Sequence, residues 1–503
     1  MSSTRWLIFR LWCANSAPDQ TRKVPMPRNL LFIVLDQFRA DLLTGPMADC
    51  VPLPNLRRFA QQSLSFTNHH TVMVPCGPSR ASLLTGQYAM THRSVHNGTP
   101  LPDHIPNIAT GLRSVGRELL LFGYTDTQPD PTHLHPNDPA RRSYTGPIKG
   151  ITEVVEMREE GWAWLAHLRG QGYDVPDADA SDFDRLYRPK DGVLGGPALY
   201  EAKDSDTAYL TDQTIRHLDV RKARPWSAMV TYIRPHPPFV APSPWHSLVD
   251  PKSVPTPAQG STAHPFFAAY HAAPSSSGMF WGFDGDHSTL TPAQIAIIRA
   301  TYLGLAAEVD YHIGRLLDWL EAIGQADDTM VVLTADHGEM LGDLGLWGKR
   351  TPFRAASHVP LMIRAPGLGA GTVDAPSRSV DLAPTLLDAF GARVPCQMQG
   401  QKLTSAGLPA DTPVMVEMDL GEMSGGGRFE RAWNAGASAC RAVAFETGGR
   451  RLVHFAGHQP SMLFDIAADP DCAEDLAAND PQTVARLTSE LLSFRMRHAG
   501  SYF

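Results

Sequence analysis

An open, mostly parallel α/β sheet between helices, followed by a smaller α+β region, is the architecture that this chain predicts. Three observations lead there. Short β-branched or Leu-rich runs recur along the chain, amphipathic stretches separate them, and the pattern shifts near Val394. A chain of 503 residues also exceeds one small core, so a large domain with a smaller companion is expected.

The runs are Leu30–Leu35, Glu118–Phe122, Ser227–Ile233, Thr329–Thr334 and Leu361–Arg364. Continuous apolar segments of this length read as strands buried on both faces. The longest amphipathic stretch, Ala293–Ile323, repeats its apolar positions every three or four residues and reads as a helix lying on a sheet. Strands alternating with helices indicate a doubly wound domain. Residues 125–205 are rich in Pro, Asp and Gly, and 251–290 in Pro, Ser, Gly and aromatics. Loops this long serve as functional covers or oligomer contacts. The expected organisation is an extension over 1–25, a main α/β domain over 26–393 and a smaller α+β domain over 394–503, with Arg451–Phe455 as one of its strands.

The extension carries an apolar stretch from Trp6 to Ala14 that is short and interrupted by Arg10, a poor signal core. It is also shorter than the ~20 residues a membrane span needs. Met26 stands just before Pro27-Arg28-Asn29 and the first strand, so residues 1–25 are read as disordered or outside the native protein, with Met26 as initiator. A cleaved export signal ending near Ala17 is the alternative. Hydrophobic residues at 43% and charged residues at 19% suit a globular enzyme. A net charge of −8 argues against nucleic acid or an anionic membrane as partner. Six scattered cysteines without a CxxC pair argue against a disulfide framework or zinc module. A cytoplasmic location is expected, a periplasmic one being the alternative.

Polar residues fall at the strand ends. Asp36 follows the first strand, Tyr124 the second, His236 lies just beyond the third, and Asp336-His337 follow the fourth. Ligands of open α/β sheets bind outside the carboxyl ends of the strands, so four strands deliver polar groups to one edge.

The most informative segment is Cys76-Gly77-Pro78-Ser79-Arg80-Ala81-Ser82-Leu83-Leu84-Thr85-Gly86. Pro78 suits a helix opening, which would set Cys76 at a helix N-terminus, where anionic groups are favoured. On the residues alone, a buried thiol and an unmodified nucleophilic thiolate remain alternatives.

These residues resemble the sulfatase signature, Cys-x-Pro-Ser-Arg followed by a helix and Leu-Thr-Gly. The resemblance runs from Arg28 across nearly the whole chain. It includes Asp36-Gln37-Phe38-Arg39-Ala40-Asp41, Arg234-Pro235-His236-Pro237-Pro238-Phe239 and Asp336-His337-Gly338-Glu339, then Leu463-Phe464-Asp465 with Asp469-Pro470. It implies an alkaline-phosphatase-like fold and oxidation of Cys76 to 3-oxoalanine (formylglycine) by a formylglycine-generating enzyme. The hydrated aldehyde would attack sulfur or phosphorus and expel the product by C–O cleavage. Gly77 departs from the Ser, Thr or Ala commonest in sulfatases and looks more like the phosphonate monoester hydrolase branch.

The resemblance assigns one divalent metal to Asp36, Gln37, Cys76, Asp336 and His337. Most sulfatases carry Asp and Asn in place of Gln37 and His337. An imidazole ligand favours manganese over calcium, which prefers oxygen. Arg80, His236 and Lys349 then form a cationic shell. Arg80 orients the nucleophile, His236 protonates the leaving oxygen from a loop stiffened by Pro237-Pro238, and Lys349 holds a substrate oxygen. Asn97 is placed to hydrogen-bond the nucleophile. Tyr124 and Asp126 are expected beside the substrate, where sulfatases place Lys and His, and phosphonate hydrolases Tyr and Thr. Asp126 thus puts an acceptor where an anion prefers a donor.

The expected activity is arylsulfatase-like hydrolysis of a small anionic ester, with promiscuity towards phosphonate monoesters and phosphodiesters. Phosphonate hydrolysis as the main activity, or a non-catalytic binding protein on the same fold, are the alternatives. A homo-oligomer is expected. A two-metal site is not, because Glu308, Asp310 and His312 read as parts of one helix.

Overall fold

The computed structural model describes residues 25–141, 145–158, 161–175, 186–272 and 278–499. The predicted N-terminal extension lies outside them apart from Pro25. In chain order the strands are β1 (Asn29–Asp36), β2 (Leu64–Phe66), β3 (His69–His70), β4 (Met73–Val74), β5 (Leu119–Gly123), β6 (Thr152–Glu156), β7 (Ser227–Pro235) and β8 (Thr329–Ala335). They continue with β9 (Leu361–Arg364), β10 (Gly371–Val373), β11 (Ser377–Arg378), β12 (Val414–Asp419), β13 (Arg441–Thr447), β14 (Arg450–Phe455) and β15 (Met462–Asp465). Five helices matter for the site: α1 (Cys76–Thr85), α2 (Asp206–Asp219), α3 (Pro292–Ala322), α4 (Leu382–Ala389) and α5 (Pro481–His498).

The large sheet has the order β10-β2-β9-β8-β1-β7-β5-β6. Its heart, β8-β1-β7-β5-β6, is parallel throughout, and β9 runs antiparallel between β8 and β2. The sheet is therefore mixed but mostly parallel. All five strands predicted for this sheet are present, with ends shifted by at most two residues. The short strands β2, β6 and β10 had no apolar run long enough to mark them.

Every residue of β1 is buried, which explains its unbroken apolar run. Alternate side chains serve opposite cores. Leu31, Ile33 and Leu35 face the core that includes Ile313 and Leu316 of α3, while Leu30, Phe32 and Val34 face that of Leu83 on α1 and Leu386 on α4. Helix α3 starts where Thr291 caps it, accepting from the N–H of Gln294 in a reciprocal capping box, with Pro292 at the first turn. Its predicted limits are met within one residue.

The second sheet has the order β15-β14-β13-β12-β4. It is sheet-rich and lies mainly after 394, and α5 packs Leu487, Leu491 and Phe494 against Met415, Phe445 and Leu452. Its edge strand β4 belongs to the chain just before Cys76, pairing parallel with β12 through Glu417 and Met418. The C-terminal sheet thereby supports the start of α1. No described helix is long and apolar enough to cross a membrane.

Candidate active site

The parallel strands β1, β5, β7 and β8 point their carboxyl ends the same way, so the loops after them share one edge. At the end of β1 the chain turns through Gln37, whose φ of 69° lies in the left-handed region. For a residue with a side chain this conformation is costly and must be held by its surroundings. The turn aims the Gln37 N–H at Asp336 Oδ1, 3.1 Å away, and Gln37 Nε2 donates to the Glu339 carboxylate. Glu339 also accepts from the N–H groups of Leu341 (3.0 Å) and Gly348 (2.5 Å), tying the β8 loop to the β1 turn.

Helix α1 begins at Cys76 itself, with Pro75 at the N-cap position, two residues earlier than Pro78 implied. It is buried along its whole length. Cys76 Sγ lies 3.2 Å from His337 Nε2 and accepts from Lys349 Nζ at 2.8 Å, while Asp36 Oδ1 is 4.0 Å away. Lys349 Nζ also donates to Gln37 Oε1 at 2.9 Å. Gly348, at φ 76°, lets the chain turn so that Lys349 enters the site.

One turn along α1, Arg80 bridges the two carboxylates. Its Nε donates to Asp336 Oδ2 at 2.9 Å and its Nη2 to Asp36 Oδ2 at 3.0 Å. The guanidinium stacks 4.3 Å over the Tyr124 ring, and the Tyr124 hydroxyl donates to Asp36 Oδ2 at 2.6 Å. Ser79 fastens the same turn by donating to the Asp336 carbonyl at 2.5 Å. Asn97 Oδ1 accepts from the Gly77 N–H at 3.0 Å. A Cβ at Gly77 would meet the Asp126 carbonyl oxygen at 2.7 Å and Asn97 Oδ1 at 3.2 Å. The absent side chain of Gly77 is thus explained by the close approach of the β5 loop, where Asp126 is buried at φ 56°.

The electrostatics follow from burial. Burial alone would raise the Asp36 carboxyl, but His236, Lys349, Arg80 and His337 together hold it well below the usual range. Burial and then Asp36 push Asp336 upward, against Arg80 and Lys349. Burial and Asp36 likewise push the Cys76 thiol well up, against Lys349. Burial, with Lys349 next, brings His337 down to about 3, so its ring is neutral. His337 Nδ1 donates to the Gly338 carbonyl at 3.0 Å, leaving the Nε2 lone pair turned to Cys76. His236 behaves similarly, brought down to about 3 by burial and then by Lys349, with Nδ1 donating to the Pro237 carbonyl at 2.6 Å.

Asp36, Gln37, Cys76, Arg80, Tyr124, Asp336, His337 and Lys349 are therefore joined in one hydrogen-bonded cluster. Asn97 joins through Gly77, and His236 and Asp126 border the cluster near Asp36 and Cys76. The donor set suits a cation. One atom each from Asp36, Cys76, Asp336 and His337 lies within 4.8 Å of the others, and two buried carboxylates side by side repel until a positive ion separates them. Among the described residues this is the group that could hold a metal. Glu308, Asp310 and His312 are indeed on one helix, and Asp310 accepts from the N–H groups of Asn55 and Leu56 instead.

Residues 28–392 match the Sulfatase family. The chain belongs to the sulfatase family. It is a hydrolase of the alkaline phosphatase superfamily, on that superfamily's fold. It is 33% identical to the multifunctional alkaline phosphatase superfamily protein PehA of Trinickia caryophylli, over 94% of this chain and 96% of that protein. Among solved structures it is similar to the phosphonate monoester hydrolase SpPMH of Silicibacter pomeroyi, at 44% identity and a TM-score of 0.88, covering 93% of this chain and 95% of that one. The phosphonate monoester hydrolase of Agrobacterium radiobacter follows at 33% identity and a TM-score of 0.87, covering 94% and 96%. Membership implies a divalent metal and a formylglycine.

Glu339 and Ser79 were absent from the sequence-based set although both sit inside its motifs. Nothing local marks either one, since Glu339 acts through Gln37 and Ser79 through the backbone of Asp336.

Proposed function

We propose that this chain hydrolyses phosphonate monoesters and phosphodiesters, and aryl or alkyl sulfates, at one site whose nucleophile is a formylglycine made from Cys76. The observation that carries the reading is the setting of Cys76. It lies at the first residue of a buried helix, between Lys349 and His337, with its own thiol pushed upward. A thiolate nucleophile needs the opposite shift. The likeness to two phosphonate monoester hydrolases, and Gly77 in the signature, support phosphonates as the main substrates.

A divalent cation held by Asp36, Gln37, Asp336, His337 and the oxidised Cys76 would supply Lewis-acid activation. The remaining work belongs to side chains. Arg80 keeps Asp36 and Asp336 in register, and Tyr124 donates to the same Asp36 oxygen as Arg80 does. Lys349, kept protonated by Asp36 and Asp336 despite its burial, takes an oxygen of the transferred group. An incoming anionic ester adds the negative charge that raises His236, whose Nε2 then gives a proton to the departing oxygen. Asn97 fixes the start of α1, and Asp126 lies on the substrate side of the β5 loop. The imidazole of His337 favours manganese over calcium, so activity lost to chelation should return better with manganese. A modifying enzyme, a homo-oligomeric state and a cytoplasmic site of action complete the reading.

Mass spectrometry tests it. Protein made with the modifying enzyme should yield a Cys76 peptide about 18 Da lighter than the thiol form, and activity should scale with the converted fraction. Aryl phosphonate, phosphodiester and sulfate should then be turned over by the same preparation. Full activity with unconverted Cys76 would overturn the nucleophile, and an inert converted enzyme would favour a binding protein.

A further inference from the structure

Behind His236 lies a second buried charge network. Arg234, on β7 and 1% exposed, donates through Nε to Asp206 Oδ2 at 2.9 Å. Its Nη1 donates to the carbonyls of His236 (2.7 Å) and Pro238 (3.1 Å). The guanidinium lies 4.1 Å over the ring of Tyr187, whose hydroxyl donates to the same Asp206 oxygen at 3.0 Å. Asp206 is in turn fixed at the start of α2, where the Thr207 N–H donates to its other oxygen at 2.7 Å and Ser205 caps the helix. Tyr187 stacks on Trp164, and Tyr200 meets both edge-on, so the aromatic wall is itself packed.

We propose that Arg234 is the positioning residue for His236. Three successive carbonyls around the imidazole are pinned: those of His236 and Pro238 by Arg234, and that of Pro237 by Nδ1 of the ring. Turning the ring would break its own bond, and shifting the loop would break both of Arg234's. The free Nε2 is thereby held in one direction. Only the planar, multi-donor guanidinium can reach a carboxylate and two carbonyls together, so lysine is no substitute. The long stretch 125–205 gains a purpose from this, since it delivers Trp164, Tyr187 and Tyr200 to the clamp.

The inference rests on His236 being the proton donor, so the experiment includes His236→Ala beside Arg234→Lys and Asp206→Asn. Full-length, formylglycine-converted enzyme is assayed on a 4-nitrophenyl and a phenyl phosphonate ester. Proton donation matters most for the poorer leaving group. His236→Ala should therefore lose ~10²-fold or more on the phenyl ester and much less on the nitrophenyl ester. Arg234→Lys should show the same asymmetry, about 10-fold or more against about 3-fold or less, in kcat with KM unchanged. Asp206→Asn should follow with smaller losses, and carries the comparison if Arg234→Lys does not fold. Equal losses on both esters in Arg234→Lys and Asp206→Asn, or no losses, would overturn the proposal while His236→Ala still supports its donor role. Equal losses in His236→Ala would remove the donor itself and the proposal with it.

Discussion

The segment Asp36–Asp41 feeds two clusters of buried charge that differ in character. Asp36 and Gln37 enter the candidate site, whereas Arg39 and Asp41 enter a network with Asp343 and Arg299. In that network Arg39 forks onto Asp41 at 2.8 and 2.6 Å and reaches Asp343 at 2.7 Å. Arg299 takes the other Asp343 oxygen at 3.3 Å, together with the Leu341 carbonyl at 2.7 Å. Two guanidinium groups meet two carboxylates, so the charges match in number. Arg39 also holds the carbonyls of Glu339 and Met340, so the network shapes the loop that leads to Lys349. In the site, Asp36 and Asp336 share Arg80 and lie near Lys349, but they also face a thiol and an imidazole lone pair. One cluster is closed and structural. The other is open: Asp36 and Asp336 repel each other and, with Cys76 and His337, present atoms that could hold a cation.

The largest expected effect separates the two. Asp36→Asn should cost at least ~10²–10³-fold in rate, because in the proposed site it replaces a charged metal ligand by a neutral one. Thermal unfolding of the metal-free protein should come at a lower temperature as well, because the surrounding cations hold the Asp36 carboxyl well below its usual range and the neutral amide forfeits that stabilisation, although the bonds from Arg80 and Tyr124 persist. An unchanged melting temperature would mean that repulsion between Asp36 and Asp336 cancels that stabilisation.

Asp343→Asn is the mirror case. It strips the shared carboxylate from Arg39 and Arg299, and a broken buried pair costs about 3–5 kcal/mol. Urea unfolding should register that loss. An unchanged midpoint would show that Asp41 and the carbonyls suffice without Asp343.

Glu308 offers a third kind of buried charge. Burial, with Asp206 next, pushes its carboxyl from 4.5 up to about 8. The folded state therefore keeps a proton that the unfolded chain releases above its ordinary value. Stability should fall as pH rises through that window, by up to about 1.4 kcal/mol per unit, and level off beyond it. In Glu308→Gln this component of the slope should vanish, which unfolding at pH 5, 6.5 and 8 would reveal. Identical slopes in the two proteins would assign the dependence to other groups.

The smallest effect concerns Gly77→Ala. The new methyl meets the Asp126 carbonyl oxygen at 2.7 Å, and overpacking of this kind costs about 1–3 kcal/mol. A rate loss with no change in stability would mean that the β5 loop yields to the methyl and only the site geometry suffers.

Much of this was legible in the residues. The unbroken apolar runs of β1, β7 and β8 announce strands covered on both faces, and their ends announce where polar groups gather. Cys76, Arg80, Asp336 and His337 stand in motifs whose spacing follows from a helix turn and a strand end. The reason is that these signals are local: periodicity, capping and burial are written into a few neighbouring residues.

Long-range contacts had no such signal. Met73 and Val74 form too short a strand to be seen, yet they join the C-terminal sheet to the start of α1. Asp206 lies 28 residues from Arg234 and Glu339 302 from Gln37, and nothing in either neighbourhood names its partner. The sequence alone determined which residues could do chemistry and on which edge of the sheet they stand. Only the tertiary structure decided which of their charges are balanced, because that balance is set by groups that folding brings together from distant parts of the chain.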